Sequence, residues 1–185
     1  IIRAAFEYAR VQGRASVCMA SKHNAIQHAH GLWARVFREI SSEYTDIESF
    51  ELFGDVAAME LVRDPTRFHV IVTSNLLGDV LSDLAAQVVG GIGLAPSANM
   101  KPGAVSLFEP VHGSAPDIVN QGLANPIAAI LTGAMLCQHV GELDAAKRIE
   151  AAVERAVADR AVTRDLGGDL QTRQATQAII QRLSV

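Results

Sequence analysis

Residues 69–73, HVIVT, form an unbroken and mostly β-branched apolar run. Directly after it, from Gly78, GDVLSDLAAQVV repeats its apolar residues at helical spacing. A strand without polar alternation predicts burial on both faces, which requires helices on either side of a parallel sheet. The same alternation recurs along the chain. ASVCMA at 15–20 reads as a strand, followed by a helix over about 25–43. Residues 46–53 read as a strand leading to a helix over 56–62, which Pro65 ends. Strands alternating with helices predict α/β layers.

The stretch GGIGLAPSANMKPG, residues 90–103, concentrates Gly, Pro, Ser and Asn and reads as a crossing loop and the one domain boundary. A strand at 105–108, a polar loop running to Asn125 and helices over about 127–140, 143–158 and 172–183 follow. The apolar stripe of Ile1, Ile2, Ala5, Phe6 and Ala9 is under way at the first residue without a cap, so the chain is expected to begin partway through an element.

With 49% hydrophobic and 19% charged residues, 185 positions suffice for a packed core and exclude the disordered and low-complexity classes. A net charge of −4 with both signs interspersed gives no electrostatic case for nucleic acid or an anionic membrane surface. The most apolar stretch, 123–137, is broken by Asn125, Pro126, Thr132 and Gly133 and is shorter than the roughly 20 residues a bilayer span needs. Cys18 and Cys137 offer no disulfide framework, which points to a reduced compartment, the cytoplasm.

Three places carry candidate chemistry. In VTSNLLGDVLSDLAA, residues 72–86, a strand end and a glycine turn lead to a helix that sets Asp79 and Asp83 on one face. Like charges at that spacing repel, and a hard divalent cation such as Mg2+ or Mn2+ would compensate them; the alternative is a favourable position for Asp79 in the first helical turn and a solvated Asp83. Asp55, after Gly54, reads as an N-cap and becomes a third ligand only if it converges with that pair.

The second place is SKHN at 21–24, joining a strand end to a helix start. Lys22 there is either an acid/base or a solvated surface lysine. His23, His28 and His30 do not share a face, which argues against zinc. The third is LFEPVHGSAPDIVNQGLANP, residues 107–126. Gly113, Ser114 and Ala115 allow close backbone approach to a ligand, and Asp117 could accept two hydrogen bonds from a ribose diol, although no GxGxxG is present.

In order along the chain, SKHN, GDVAAMELVRDP, VTSNLLGDVLSDLAA, GGIGLAPSANM, LFEPVHGSAPDI, GLANP and, more weakly, DLGG resemble the isocitrate and isopropylmalate dehydrogenase family of metal-dependent β-decarboxylating dehydrogenases. The resemblance extends over nearly the whole chain and corresponds to the C-terminal part of the family chain. It implies an isopropylmalate dehydrogenase-like fold, layered αβα, with two domains incomplete at the N-terminus. Residues 1–90 would be the later part of a small dimerisation and substrate domain, and 91–185 the later part of a large cofactor domain.

The resemblance also implies roles. Asp79 and Asp83 match metal ligands, and Asp55 matches a third that reaches the site from the partner subunit of a homodimer. Lys22 matches the catalytic, substrate-contacting lysine, also contributed across the dimer, and Asn24 a residue at the substrate and nicotinamide end. Glu109, His112, Gly113, Ser114, Ala115, Asp117, Ile118 and Asn125 match the cofactor loop. A carboxylate at Asp117 would repel the extra phosphate of NADP, which favours NAD.

The implied activity is NAD- and Mg2+- or Mn2+-dependent oxidation and decarboxylation of a 2-hydroxy acid, first 3-isopropylmalate. Ala25 stands where isopropylmalate enzymes commonly have a larger aliphatic side chain, so tartrate or D-malate is the alternative, and isocitrate a further one. The family's substrate arginines and its enol-protonating tyrosine match nothing in these residues; Tyr8 and Tyr44 stand elsewhere. The chain alone is therefore expected to be inactive. A subunit or fragment that dimerises and binds nucleotide without catalysis is the non-enzymatic alternative.

Overall fold

The structure, a computed structural model, describes residues 1–101 and 103–183 and divides into two units, Ile1–Val88 and Val89–Val185. The first unit contains α1 (Ile2–Val11), β1 (Ser16–Ser21), α2 (Gln27–Ser41), β2 (Glu48–Phe53), α3 (Gly54–Arg63), β3 (Val70–Thr73) and α4 (Asn75–Val88). The strands pair in the order β2-β1-β3, all parallel, with Met19 opposite Glu51 on one side and Val72 on the other.

Parity along β1 divides the hydrophobic material into two cores. Val17 and Met19 join Phe6, Phe37, Tyr44 and Val72 under α1 and α2. Ala20 joins Ala57, Leu61 and Leu81, with Leu52 and Ile71 packed against them, under α3 and α4. Helices therefore cover both faces of the sheet, the expected αβα layering. The strand buried on both faces is β1, all six of whose residues are buried; HVIVT instead supplies β3, which pairs on one side only and buries Val72 alone.

α4 begins at Asn75, so Gly78 lies inside the helix and not in a turn before it. A Cβ at Gly78 would stand 3.3 Å from Thr73 Cγ2, and its absence lets the first helical turn fold back tightly over the end of β3. Thr73 Oγ1 donates to the Ala20 carbonyl at 2.8 Å, tying the same strand end to β1.

The second unit holds β4 (Pro96–Asn99), β5 (Leu107–Pro110), α5 (Ile127–His139), α6 (Leu143–Ala158) and α7 (Thr172–Leu183). Ile127, Ala152, Val153, Ala156, Val162 and Ile179 form its core. The stretch 90–103 is not loop throughout: residues 96–99 form β4, antiparallel to β5 with Ala98 opposite Phe108, and Pro102 lies outside the described residues. Pro96 begins that strand, where a missing N–H is tolerated. β5 lies two residues beyond the expected 105–108. Among the described residues no helix is long and apolar enough to cross a membrane.

Candidate active site

In the first unit, β1, β2 and β3 run parallel, and the segment that leaves the carboxyl end of each carries a candidate residue: Lys22 directly after β1, Asp55 in the first turn of α3 after β2, and Asp79 beyond the first turn of α4 after β3. Parallel α/β sheets bind ligands at that end, where strands stop and loops and helix starts face outward.

Lys22 is about one-third exposed, and its Nζ donates to Asp55 Oδ1 at 2.6 Å. The same ammonium lies 5.6 Å from the centroid of the Phe53 ring. The solvated-lysine alternative therefore does not describe it. Asn24 is exposed in the turn closed by Ala25 N–H and Ile26 N–H, both donating to the Lys22 carbonyl at 3.0 and 2.8 Å. Around this turn, Ser21 Oγ is hydrogen-bonded to His23 Nδ1 at 2.8 Å, and the Lys22 amide donates to His30 Nδ1 at 2.8 Å.

Asp55 is not the cap of α3. Phe53, still extended, occupies that position, and Asp55 falls in the first turn because β2 runs directly into the helix. The hydrogen bond from Lys22 holds the Asp55 carboxyl below the ordinary carboxylate range, with its own and the Val56 backbone amide adding to the effect. A Cβ on Gly54 would meet Leu77 at 3.2 Å, so the starts of α3 and α4 lie against one another.

Asp79 and Asp83 are exposed on α4. Because the helix starts at Asn75, Asp79 is past the first turn, and the favourable interaction expected there is weaker. Among the described residues neither enters an ion pair, and no three His, Cys, Asp or Glu side chains are grouped closely enough to hold a metal ion. Two unpaired carboxylates one turn apart suit a hard cation as donors and leave room for further oxygen ligands from outside the chain.

In the second unit, Glu109 is exposed on β5 opposite Ser97. His112 Nδ1 donates to the Gly113 carbonyl at 3.0 Å, and Asp117 is exposed in the single 3-10 turn Pro116–Ile118, entered through Ala115 in the left-handed conformation. His112, Ala115, Ile118 and Asn125 line a cavity of about 240 Å³ together with Gly93 and Asp165, large enough for a purine. Gly113 and Ser114 line an adjoining cavity of about 380 Å³.

Asn125 is fixed from both ends. Its Nδ2 donates to Asp165 Oδ2 at 2.9 Å and its Oδ1 accepts the Ile127 amide at 2.9 Å, while the other Asp165 oxygen accepts the fully buried Thr163 hydroxyl at 2.5 Å. A Cβ on Gly93 would stand 3.1 Å from Asn125 Cβ and 3.2 Å from Asp165 Oδ2, so glycine keeps this cradle open. Sequence reasoning did not assign roles to Gly93, Thr163, Asp165 or His30. The motifs GGIGLAPSANM, which contains Gly93, and DLGG, which contains Asp165, carry the only signal for them.

Residues 1–183 match the model of the isocitrate/isopropylmalate dehydrogenase family. A 3-isopropylmalate dehydrogenase of Archaeoglobus fulgidus is 45% identical over 183 residues, covering 99% of this chain and 56% of the relative. An isocitrate/homoisocitrate dehydrogenase of Thermus thermophilus is 46% identical over 181 residues, covering 98% and 54%. The crystal structure of an isocitrate dehydrogenase from Methylococcus capsulatus superimposes with a TM-score of 0.94 at 48% identity, covering all of this chain and 55% of that one. The chain spans about half the length of the relatives it matches.

Proposed function

The chain belongs to the isocitrate/isopropylmalate dehydrogenase family, whose members are decarboxylating dehydrogenases, and from this membership we propose that its protein oxidises and decarboxylates a 2-hydroxy acid, first 3-isopropylmalate, using NAD and Mg2+ or Mn2+. The observation that carries this reading is the delivery of Lys22, Asp55 and Asp79 at one end of three parallel strands. Lys22, contributed across the dimer, would in its neutral amine form take the substrate's hydroxyl proton, directly or through water, while hydride passes to NAD; as the ammonium it is held by the Asp55 carboxylate between turnovers. Asn24 contacts substrate at the same end of β1.

Asp79 and Asp83 hold the divalent cation, which when bound supplies Lewis-acid polarisation of the substrate's oxygens. Asp55 acts as third ligand to the partner subunit's cation; among the described residues no three His, Cys, Asp or Glu side chains of one chain are grouped to hold an ion by themselves. A homodimer provides that partner, docked through the exposed apolar stripes Met59 and Val62 on α3 and Leu76 and Val80 on α4. The cavity lined by Gly93 and Asn125 would hold the adenine of NAD, and Asp117, exposed in the turn that follows Ala115, would accept hydrogen bonds from the ribose hydroxyls.

Ala25 supports a second substrate, tartrate or D-malate. A small side chain there forfeits about 1–2 kcal/mol of apolar contact with an isopropyl group. The test uses the protein expressed from its complete gene, with 3-isopropylmalate, tartrate, D-malate and isocitrate as substrates, NAD reduction as readout, and Mg2+ present or removed by chelator. Turnover of 3-isopropylmalate that vanishes on chelation is expected. Full activity in excess chelator would remove the metal role, and no turnover of any of the four would leave a nucleotide-binding subunit without catalysis.

A further inference from the structure

We propose that His30, in the first turn of α2, is a positioning residue for Lys22, acting as a neutral imidazole whose Nδ1 accepts the Lys22 backbone amide. The proposal rests on the catalytic role assigned to Lys22 above.

β1 pairs with β2 as far as Ser21 opposite Phe53, and with β3 as far as Ala20 opposite Thr73. At the next residue both neighbours have left the sheet: β2 has become α3 at Gly54, and β3 has ended ahead of α4. The amide of Lys22 has therefore lost its ladder acceptor at the end of a fully buried strand, where an unmade hydrogen bond is costly. His30 Nδ1 supplies the acceptor at 2.8 Å. A ring nitrogen that accepts an N–H carries no proton, so the single proton of His30 resides on Nε2.

The Lys22 carbonyl is fixed too, by the amides of Ala25 and Ile26. With both backbone polar groups held, the direction in which the side chain leaves the backbone is set before its ammonium reaches Asp55 and the Phe53 ring. A lysine stem is otherwise rich in rotamers, and a catalytic group gains from having that freedom removed in advance. The flanking hydrogen bond between buried Ser21 and His23, whose ring lies 5.0 Å from Phe53, stiffens the same strand end without touching the Lys22 amide.

The test compares wild type, His30→Ala and His30→Asn in the protein expressed from its complete gene. The Asn side chain places Oδ1 where Nδ1 stands and keeps an acceptor; Ala removes it. Expected for His30→Ala is a kcat lower by about ten- to a hundredfold with KM for NAD within about twofold, and for His30→Asn recovery of most of that loss. A long-range proton–nitrogen spectrum of the wild-type imidazoles reads the contact independently of activity, and is expected to show His30 unprotonated at Nδ1. A proton on His30 Nδ1, wild-type kcat in His30→Ala, or an equal loss in both variants would each overturn the proposal. If wild type turns over none of the hydroxy acids, the functional reading fails and His30 has no catalysis to support, while the tautomer still decides whether the contact exists.

Discussion

Both polar atoms of the Asn125 side chain are engaged, Nδ2 by Asp165 and Oδ1 by the Ile127 amide, so the residue is held in one orientation where it lines the cavity. Replacing Asp165 with Ala strands the Asn125 amide and the buried Thr163 hydroxyl together, a loss of about 1–3 kcal/mol that urea unfolding should show as a lower midpoint. Gly93→Ala acts differently. Its Cβ presses on Asn125 and Asp165 within the cavity, so KM for NAD should rise about tenfold while kcat changes little. Unchanged KM in that variant would mean the cofactor base binds elsewhere. The contacts of Asn125 with Asp165 and of Lys22 with His30 were not legible in the sequence, because they join residues 40 and 8 positions apart with no periodic pattern to reveal them. The histidines drew attention as possible metal ligands, and their use as hydrogen-bond acceptors leaves no mark in spacing.

At the scale of elements, long periodic segments were legible and short irregular ones were not. α6 and α7 occupy the expected residues because sixteen and twelve positions of helical spacing average out local exceptions. β4 escaped notice because PSAN offers four residues, a proline and no alternation, and is a strand only through pairing with β5. α1 shows what an element's docking costs to lose. Phe6 is fully buried, stacked on Tyr44 at 4.8 Å and packed against Phe37 at 5.7 Å, so Phe6→Ala should lower stability by about 3–5 kcal/mol, measured by denaturant unfolding.

The same helix is held at its surface by Arg3 to Glu43 and Arg10 to Asp46. These hydrogen bonds hold both carboxyls below their usual range. Their contribution is complete above the unfolded carboxylate range near pH 4 and is lost as pH falls through the lower folded values, so stability should decline with acidification there. Because both pairs are exposed, the effect is small. A combined Glu43→Gln and Asp46→Asn variant should show a flatter acid limb in its urea midpoints than wild type.

For the whole molecule, the two helices that start beside the candidate residues also carry exposed apolar side chains, Met59 on α3 at 69% and Val80 on α4 at 58% exposure. Val80→Asp should shift the complete-gene protein from dimer to monomer in sedimentation, and with it abolish turnover, since the proposed site takes residues from both subunits. A monomer that keeps full activity would refute the shared site. Family membership was legible from ordered motifs spread across the chain, none of them decisive alone. The substrate was not, because relatives with different substrate names resemble this chain almost equally.

β1 buries all six of its residues and then hands the chain to a single imidazole at Lys22. Amide hydrogens within the strand are released to solvent deuterium only when the sheet opens, whereas the Lys22 amide is released whenever the His30 ring swings away. A sharp rise in deuterium uptake between Ser21 and Lys22 would therefore mark the boundary where the paired sheet ends and the backbone is held by one side chain instead.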